Sequence, residues 1–316
     1  MIRIVGLGGG IGASRIWREL ITHCDPAGVT LGVNVAEDLW IHGLRVCPDI
    51  DTTLYTLSGR HDSDRGWGRR DETWEAMAVL RELGEMPWFN LGDRDLGLHL
   101  WRTTALRKGH TLSQLTERAR QAFGVPCQVL PVTNNEVTTR IDTPRAANLH
   151  YQEYLVRDRA EAPVTGLHLE GASSARPVIE LVEAIAAADV VIWAPSNPVA
   201  SLGLFTAIEE IASVLREKRS QAIAITSVVT HRPIASDGER TRARSRAALL
   251  AHLNLPPNAT GVARLLTPFC SRFVLDTVDE AERSDIEAMG LEVRLADTLV
   301  HLGADGAALV REVLRA

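Results

Sequence analysis

The sequence predicts an α/β fold in which a mainly parallel sheet is flanked by helices and carries an inserted helical subdomain. At the start of the chain, an apolar run at 2–7 leads through glycines into a helical pattern at 12–24. Strand and helix patterns then alternate before residue 60 and again after residue 160, around a helical stretch near 60–125. Because strands joined by helical crossovers form parallel sheets, we predict one domain over 1–316, interrupted by that helical insertion.

The first half of the chain supplies two strands, the inserted helices and a return to strands. A strand pattern at 29–35 ends at two acidic residues. Acidic first turns and closing glycines mark the helices of the insertion. In order, the helices lie at 71–84, 95–109 and 111–124, a strand follows at 125–132, and extended segments are predicted at 136–143 and 150–156.

The second half returns to strict alternation. A strand at 164–171 precedes a helix at 175–189, and a strand at 190–198 ends in a polar loop. One long helix is predicted at 199–218 and a strand at 222–229, with further helices to the end of the chain.

Composition and charge limit the class of protein. The chain has 316 residues, 45% of them hydrophobic, which is enough for a sizeable core. A net charge of −6 argues against a nucleic-acid partner, and the arginine-rich segment 238–246 is interpreted as a solvated helix face. No CxxC pair, signal pattern or apolar run of about 20 residues is present. We therefore predict a cytoplasmic protein without a membrane partner.

The glycine stretch GLGGGIG at 6–12 is the first candidate site. Glycines between a strand and a helix allow a phosphate to approach the backbone and the free N–H groups of the helix. Gly8, Gly9, Gly10 and Gly12 are therefore predicted to bind a nucleotide or another phosphate. The dinucleotide pattern GxGxxG fails at Ile11, and no GK[ST] follows. A tight turn that binds nothing is the alternative.

Acidic residues follow the second strand pattern in two groups. Glu37 and Asp38 come directly after it, and Asp49 and Asp51 lie within PDIDT at 48–52. A few carboxylates together with substrate phosphates are the ligands that suit Mg²⁺. The alternative is that one of these aspartates caps the helix that begins there.

Two further segments carry polar residues. WFNLGDRDLGLHLWRT at 88–103 contains Asp93, Asp95, His99 and Arg102. Arg102 is a candidate phosphate clamp, with a surface arginine as the alternative. The alternative for the two aspartates is that they are first-turn acids of a helix, and the alternative for the histidine is that it is packed rather than catalytic.

WAPSNPVAS at 193–201 ends a predicted central strand, where ligands of open α/β sheets bind. Ser196 and Asn197 could hydrogen-bond a base or a phosphate there. The alternative is a turn enforced by Pro195 and Pro198.

Taken together, these segments resemble the 2-phospho-L-lactate transferase family (CofD, called FbiA in actinobacteria). The landmarks stand in family order from the first strand to beyond residue 200. They are the glycine loop, HGLRVCPDIDTTLYTLSG (42–59), GWG (66–68), WFNLGDRDLGLHLWRT (88–103), TLSQLT (111–116) and APSNPVAS (194–201).

The resemblance implies a Rossmann-like fold, a homodimer and a Mg²⁺-dependent transferase that acts in coenzyme F-420 biosynthesis. Its donor would be a guanosine diphosphate diester of phospholactate, enolpyruvate or a glycerate. Its acceptor would be the terminal ribityl hydroxyl of the deazaflavin Fo, and GMP would leave.

The resemblance also assigns roles to residues. Asp51 and Asn90 would contact Fo, with Asp93, Asp95 and Arg102 also on the substrate side. Asp49 and Asp51 would be the catalytic residues, and Asp49 and Asp38 would hold Mg²⁺. The glycine loop and the 194–201 loop would face the guanosine nucleotide.

The chain departs from the family pattern at four places on the predicted nucleotide side. Gly10, Ile11 and Ser14 replace the threonine, glycine and lysine of the family's glycine loop. The segment after the second strand is NVAED where the family has NTGDD. Asn134 and Asn135 replace two acidic residues of the family, and its late lysine-rich loop is scarcely visible in this chain.

Two other classes stay open. A nucleotide-sugar-binding regulator of the gluconeogenesis-factor type shares a GGG loop, and an NAD-dependent oxidoreductase would need the missing third glycine.

Overall fold

A computed structural model describes residues 2–62, 65, 67–234, 236–300 and 305–315, and Gly66 of the GWG landmark lies outside them. The strands of this part of the chain are β1 (Ile4–Gly8), β2 (Val29–Val33), β3 (Leu39–Ile41), β4 (Leu44–Val46), β5 (Gln128–Pro131), β6 (Thr138–Asp142), β7 (Leu149–His150), β8 (Gly166–Glu170), β9 (Val190–Trp193), β10 (Ala222–Ile225), β11 (Arg272–Asp276) and β12 (Glu292–Ala296). The α-helices are α1 (Gly10–His23), α2 (Pro48–Leu57), α3 (Glu75–Glu82), α4 (Asp93–Arg107), α5 (Leu112–Phe123), α6 (Ile179–Ala187), α7 (Gly203–Ala207), α8 (Glu209–Glu217), α9 (Asp237–His252), α10 (Ala259–Leu266), α11 (Arg283–Glu287) and α12 (Gly306–Leu314).

Seven parallel strands form the central sheet in the order β12-β11-β10-β9-β1-β2-β5, which confirms the predicted fold class. The chain extends the sheet from β1 through β2 to β5 on one side, and from β9 to β12 on the other. The connections therefore reverse direction between β1 and β9. A crevice opens at such a switch point, at the carboxyl ends of the two strands.

Helices cover both faces of the sheet, so β1 and β9 are buried along their whole length. Two glycines let the helices approach closely. A Cβ at Gly6 would lie 2.7 Å from Nε1 of Trp17 on α1. A Cβ at Gly32, which pairs with Leu7, would lie 2.9 Å from a methyl group of Leu181 on α6. Because successive strand residues face opposite sides, α1 and α6 lie on opposite faces.

The predicted helical stretch contains α3, α4 and α5, and its parts pack differently. Leu39 and Val46 of the β3–β4 hairpin form a small separate core with Met77 of α3 and Leu91. In contrast, Leu98 of α4 and the buried face of α5 belong to the main hydrophobic core. The segment with a core of its own is therefore shorter than the predicted insertion.

Three local predictions were wrong. Residues 150–156 do not form an extended segment, because Glu153–Arg157 make a π-helical turn that buries Tyr154. The helix predicted at 199–218 is two helices, α7 and α8, since Ile208 between them has extended backbone angles. The end of the chain is not only helical, because β11 and β12 continue the sheet. Their short apolar runs could not be distinguished from buried helix segments by periodicity.

Within the described part of the chain, no helix combines the length and the apolar character needed to cross a membrane.

Candidate active site

The glycine loop and the loop after β9 meet at the switch point of the sheet. The backbone N–H of Gly9 donates to Oγ of Ser196 at 2.9 Å, and that hydroxyl donates to the carbonyl oxygen of Gly9 at 2.9 Å. Asn197 accepts from the backbone N–H groups of Val199 and Ala200 and so shapes its own loop. Two of the predicted nucleotide-binding segments are therefore joined by hydrogen bonds.

A cleft of about 700 Å³ opens over this junction. The residues that line it include three groups singled out in the sequence: the glycine loop at Gly9, Gly10 and Gly12, the acids Glu37 and Asp49, and the loop residues Ser196 and Asn197. Gly8 does not line the cleft. It packs closely against Ser196, because a Cβ at Gly8 would come within 2.6 Å of Oγ of Ser196. The cleft therefore brings together one phosphate-binding candidate and one metal-binding candidate.

Asp49 stands at the start of α2 and points its carboxylate at the glycine loop. A Cβ at Gly9 would lie 2.0 Å from Oδ2 of Asp49, so any side chain there would displace the carboxylate. Gly10 adopts a φ of 67°, in the left-handed region that glycine tolerates without strain. Asn34 Nδ2 donates to Oδ2 of Asp49 at 2.8 Å. The glycines therefore make room for an acid as well as for a ligand.

Glu37 is the second carboxylate of the cleft. It accepts from Oγ of Ser201 at 2.8 Å and from Nε2 of Gln152 at 2.9 Å. The same Asn34 amide lies 3.5 Å from its Oε1. Glu37 and Asp49 are thus held around one amide group inside the cleft.

Burial disfavours the charged forms of both acids. It raises the pKa of Glu37 to about 7, against the hydrogen bonds from Ser201 and Gln152. It raises the pKa of Asp49 well above its ordinary value, and the charge of Glu37 raises it further. A cation between the two carboxylates would relieve both effects. No cluster of three or more His, Cys, Asp or Glu side chains able to hold a metal occurs among the described residues. Two carboxylates nevertheless suit Mg²⁺, which keeps waters and substrate phosphates as its other ligands.

Asp38, the other predicted metal ligand, does not line this cleft. Its side chain is 1% exposed, and its Oδ2 lies 3.4 Å from Nη2 of Arg45. Burial raises the pKa of Asp38 to about 6, although Arg45 opposes the rise. A cation at Asp38 would have to compete with that guanidinium, so the geometry favours Glu37 as the partner of Asp49. The metal role of Asp38 stays a prediction.

Asp51 lies deeper, in a buried ion pair with Arg102 of α4. Nη1 of Arg102 donates to Oδ2 of Asp51 at 3.0 Å, and Nη2 donates to Oδ1. His99 lies alongside, with Nδ1 3.7 Å from Oδ2 of Asp51, and burial lowers the pKa of His99 to about 4. None of the three lines the cleft. The structure joins Asp51 to Arg102, a pairing that the sequence analysis did not predict, and separates both from the glycine loop.

The remaining predicted substrate residues also lie outside the cleft. Asp95 accepts a hydrogen bond of 2.5 Å from the hydroxyl of Tyr55, and burial raises the pKa of Asp95 to about 7. Asp93 accepts from Oγ1 of Thr73 and from the first backbone N–H groups of α3, so it caps that helix. Asn90 is exposed and accepts from Arg81. Their roles towards substrate stay predictions.

Sequence reasoning missed the arginines of the cleft. The segment 238–246 was interpreted as a solvated face, yet Arg242 and Arg246 of α9 line the cleft, as does Arg15 of α1. Arg244, between the first two, is exposed and donates to the carbonyl oxygen of Arg159. The spacing of four residues between Arg242 and Arg246 puts them on one helix face, which was the available signal.

The fold and the cleft are typical of α/β enzymes, which bind their ligands at a switch point of the sheet. The model of the family described as 2-phospho-L-lactate transferase CofD matches residues 4–299, and the chain belongs to this family. It is therefore a transferase, which confirms the predicted family and the predicted enzyme class.

Curated relatives cover nearly the whole chain. A phosphoenolpyruvate transferase from Nocardia farcinica is 36% identical over 99% of this chain and 94% of its own length. The phosphoenolpyruvate transferase of Mycobacterium bovis is 37% identical over 85% of this chain and 80% of its own length. A relative of the same name from Kitasatospora aureofaciens is 34% identical over 95% and 92% of the two chains.

A solved structure supports the fold. The chain is similar to a protein of the upf0052 family from Bacillus halodurans with a TM-score of 0.65, over 99% of both chains. At 15% identity, this similarity concerns the fold alone.

Proposed function

We propose that the protein transfers a phospho-acid moiety from a guanosine diphosphate diester onto the terminal hydroxyl of the deazaflavin Fo, a step of coenzyme F-420 biosynthesis. The hydroxyl oxygen forms a bond to the phosphorus that carries the acid, the bond from that phosphorus to the GMP oxygen breaks, and GMP leaves. The moiety would be phosphoenolpyruvyl, phospholactyl or phosphoglyceryl. The names of the relatives make the phosphoenolpyruvyl donor the first to test.

The observation that carries the proposal is the pairing of Asp49 and Glu37 against the glycine loop. Phosphoryl transfer needs charge neutralisation and positioning more than covalent help from the protein. The N–H of Gly9 is taken by Ser196, so the first turn of α1 would supply the backbone N–H groups that face a diphosphate. Ser196 holds the glycine loop in place from the loop after β9. Binding and positioning are thus the tasks of this part of the cleft.

Mg²⁺ belongs to the same proposal, with Asp49 and Glu37 as the residues that would hold it. When bound, the ion would neutralise negative charge that develops on the diphosphate. Asn34 fixes the orientation of both carboxylates through its amide. The homodimeric state implied by the resemblance and the cytoplasmic location predicted from the composition are also parts of this proposal.

Asp51 keeps its proposed role towards the Fo hydroxyl within this scheme. Arg102 donates to both carboxylate oxygens of Asp51. Each oxygen retains a further lone pair for a substrate hydroxyl. Fo would have to reach this pair from beside the cleft, next to α4.

The test is incubation with Fo and each candidate guanosine donor, followed by mass spectrometry of the product, with and without Mg²⁺. We expect product and GMP only when Mg²⁺ is present, and partial recovery of Asp49→Asn at high Mg²⁺. Absence of product with every donor, together with no heat on titration of Fo, would contradict the proposal. An adenosine donor that works as well as the guanosine donor would contradict its base preference.

A further inference from the structure

The cleft is lined by groups of both charges. Glu37 and Asp49 line it together with the glycine loop, and so do arginines of α1, α9 and nearby loops. Three of these arginines pair with carboxylates outside the cleft lining: Arg18 with Glu19 at 3.5 Å, Arg65 with Asp62 at 2.8 Å and Arg232 with Asp297 at 3.0 Å. Their charges are already compensated by the protein.

Two of the other three arginines share one carboxylate. Nη1 of Arg15 lies 3.2 Å from Oε1 of Glu239, and Nη2 of Arg242 lies 2.9 Å from the same oxygen. Burial raises the pKa of Glu239, whereas the two guanidiniums lower it. The guanidiniums have the larger combined effect, because the pKa of Glu239 falls to about 2. Glu239 therefore stays charged and is fully engaged by Arg15 and Arg242.

Arg246 forms no ion pair with a carboxylate of the described residues. Among the described residues it makes no hydrogen bond and no ion pair within 4.0 Å, and its Nε is buried without an acceptor. Burial lowers the pKa of Arg246, and the charge of Arg242 lowers it further, against the attraction of Glu239. The guanidinium is half-buried and its buried Nε has no acceptor, which is costly; a bound anion would reduce that cost.

Hydrogen bonds connect the residue before this arginine to the loop after β9. The hydroxyl of Tyr151 lies 2.9 Å from Oγ of Ser245, the residue before Arg246. Nδ2 of Asn197 donates to the same hydroxyl at 3.0 Å. The middle of α9 is therefore connected through Tyr151 to the loop that follows β9, next to the glycine loop.

We propose that Arg246, together with Arg242 and Arg15, forms an anion subsite that binds phosphate oxygens of the donor's diphosphate. This inference rests on the proposed function for the identity of the donor. A guanidinium can donate two parallel hydrogen bonds to a phosphate, which a lysine ammonium cannot do. The subsite supplies positive charge to a glycine loop whose position 14 is serine rather than lysine.

The experiment measures GDP affinity by calorimetry for the wild-type chain, Arg246→Gln, Arg246→Lys and Arg244→Gln. The last variant is a matched control, because Arg244 lies on the same helix but outside the cleft lining. We expect Arg246→Gln to weaken GDP binding by at least about 10-fold, the usual scale for a charge-assisted contact, and Arg246→Lys to restore part of it. Arg244→Gln should bind as the wild type does, and Arg246→Gln should melt no earlier than the wild type.

Two competitors identify the anion. Displacement of GDP by inorganic pyrophosphate, but not by phosphoenolpyruvate, is expected if the diphosphate occupies the subsite; the reverse order would contradict the assignment. Arg246→Gln protein that binds GDP as tightly as the wild type would overturn the subsite. Should Arg246→Gln fail to fold, Arg246→Lys with wild-type GDP affinity and wild-type salt dependence would overturn it equally.

Failure of the subsite and failure of the proposed function can be told apart. A wild-type protein that binds GDP through Arg246 but forms no product from Fo leaves the subsite standing and refutes the transfer. A wild-type protein that forms product while Arg246→Gln binds GDP normally refutes the subsite alone.

Discussion

Asp51→Asn probes the buried ion pair beneath the cleft. Asp51 is 5% exposed and Arg102 is 2% exposed, and the guanidinium engages both carboxylate oxygens. The substitution keeps one oxygen acceptor but removes the negative charge, so Arg102 remains buried and charged. Breaking a buried pair from one side costs about 3–5 kcal/mol, and the retained acceptor puts the expected loss near the lower end, at about 3 kcal/mol.

The expected change in melting temperature follows from the size of the chain. Unfolding entropy is about 2.1 cal/mol/K per residue, so 316 residues give roughly 0.7 kcal/mol/K. A loss of about 3 kcal/mol should then lower Tm by about 4–5 °C. Calorimetric or circular-dichroism melting of the two proteins measures this shift directly.

A double variant supplies the control. Asp51→Asn combined with Arg102→Gln leaves neither charge buried, so it should regain much of the stability that Asp51→Asn alone loses. Asp51→Asn protein that melts within about 1 °C of the wild type would refute the view that this pair stabilises the fold.

Turnover of the same variant tests the proposed contact with Fo. At a temperature well below melting, a positioned acceptor group predicts a rate lower by about 10²-fold. A less stable protein with unchanged turnover would assign Asp51 to the architecture of the site alone.

Three further substitutions have expected outcomes. Because the pKa of His99 is about 4 rather than its ordinary 6.5, the wild type should lose up to about 3 kcal/mol of unfolding free energy as pH falls between these values. His99→Asn, which cannot titrate, should not show this loss in denaturant titrations. Asp93→Ala should destabilise by about 1 kcal/mol through loss of the α3 cap, with Fo affinity unchanged in calorimetry; weaker Fo binding would support its substrate role instead. Gly9→Ala should lower Tm and Mg²⁺-dependent GDP affinity together, since its Cβ would lie 2.0 Å from Oδ2 of Asp49; a loss of affinity alone would contradict that contact.

The local order of strands, glycines and helices was readable from the sequence because it depends on short-range pattern. β1, its glycine turn and α1 were predicted within two residues of their observed bounds, since an apolar run, a glycine turn and an amphipathic helix each leave a periodic signal. The loop after β9 was also placed correctly, because its prolines end the strand. The short strands β11 and β12 were missed, since three apolar residues within five fit a buried helix equally well.

The side chains that share the cleft were decided by the tertiary structure. Asp49 and Asp51 stand one residue apart in the chain, yet one faces the glycine loop and the other pairs with Arg102 beneath it. Successive positions near the start of a helix point in different directions, and the elements packed on each side give them different partners. Likewise, Arg246 lines the cleft while Arg244 is exposed. The hydrogen bond between Ser245 and Tyr151 contributes to fixing the rotation of α9. The sequence determined which chemical groups this protein carries, and the order of strands in the sheet determined which of them meet.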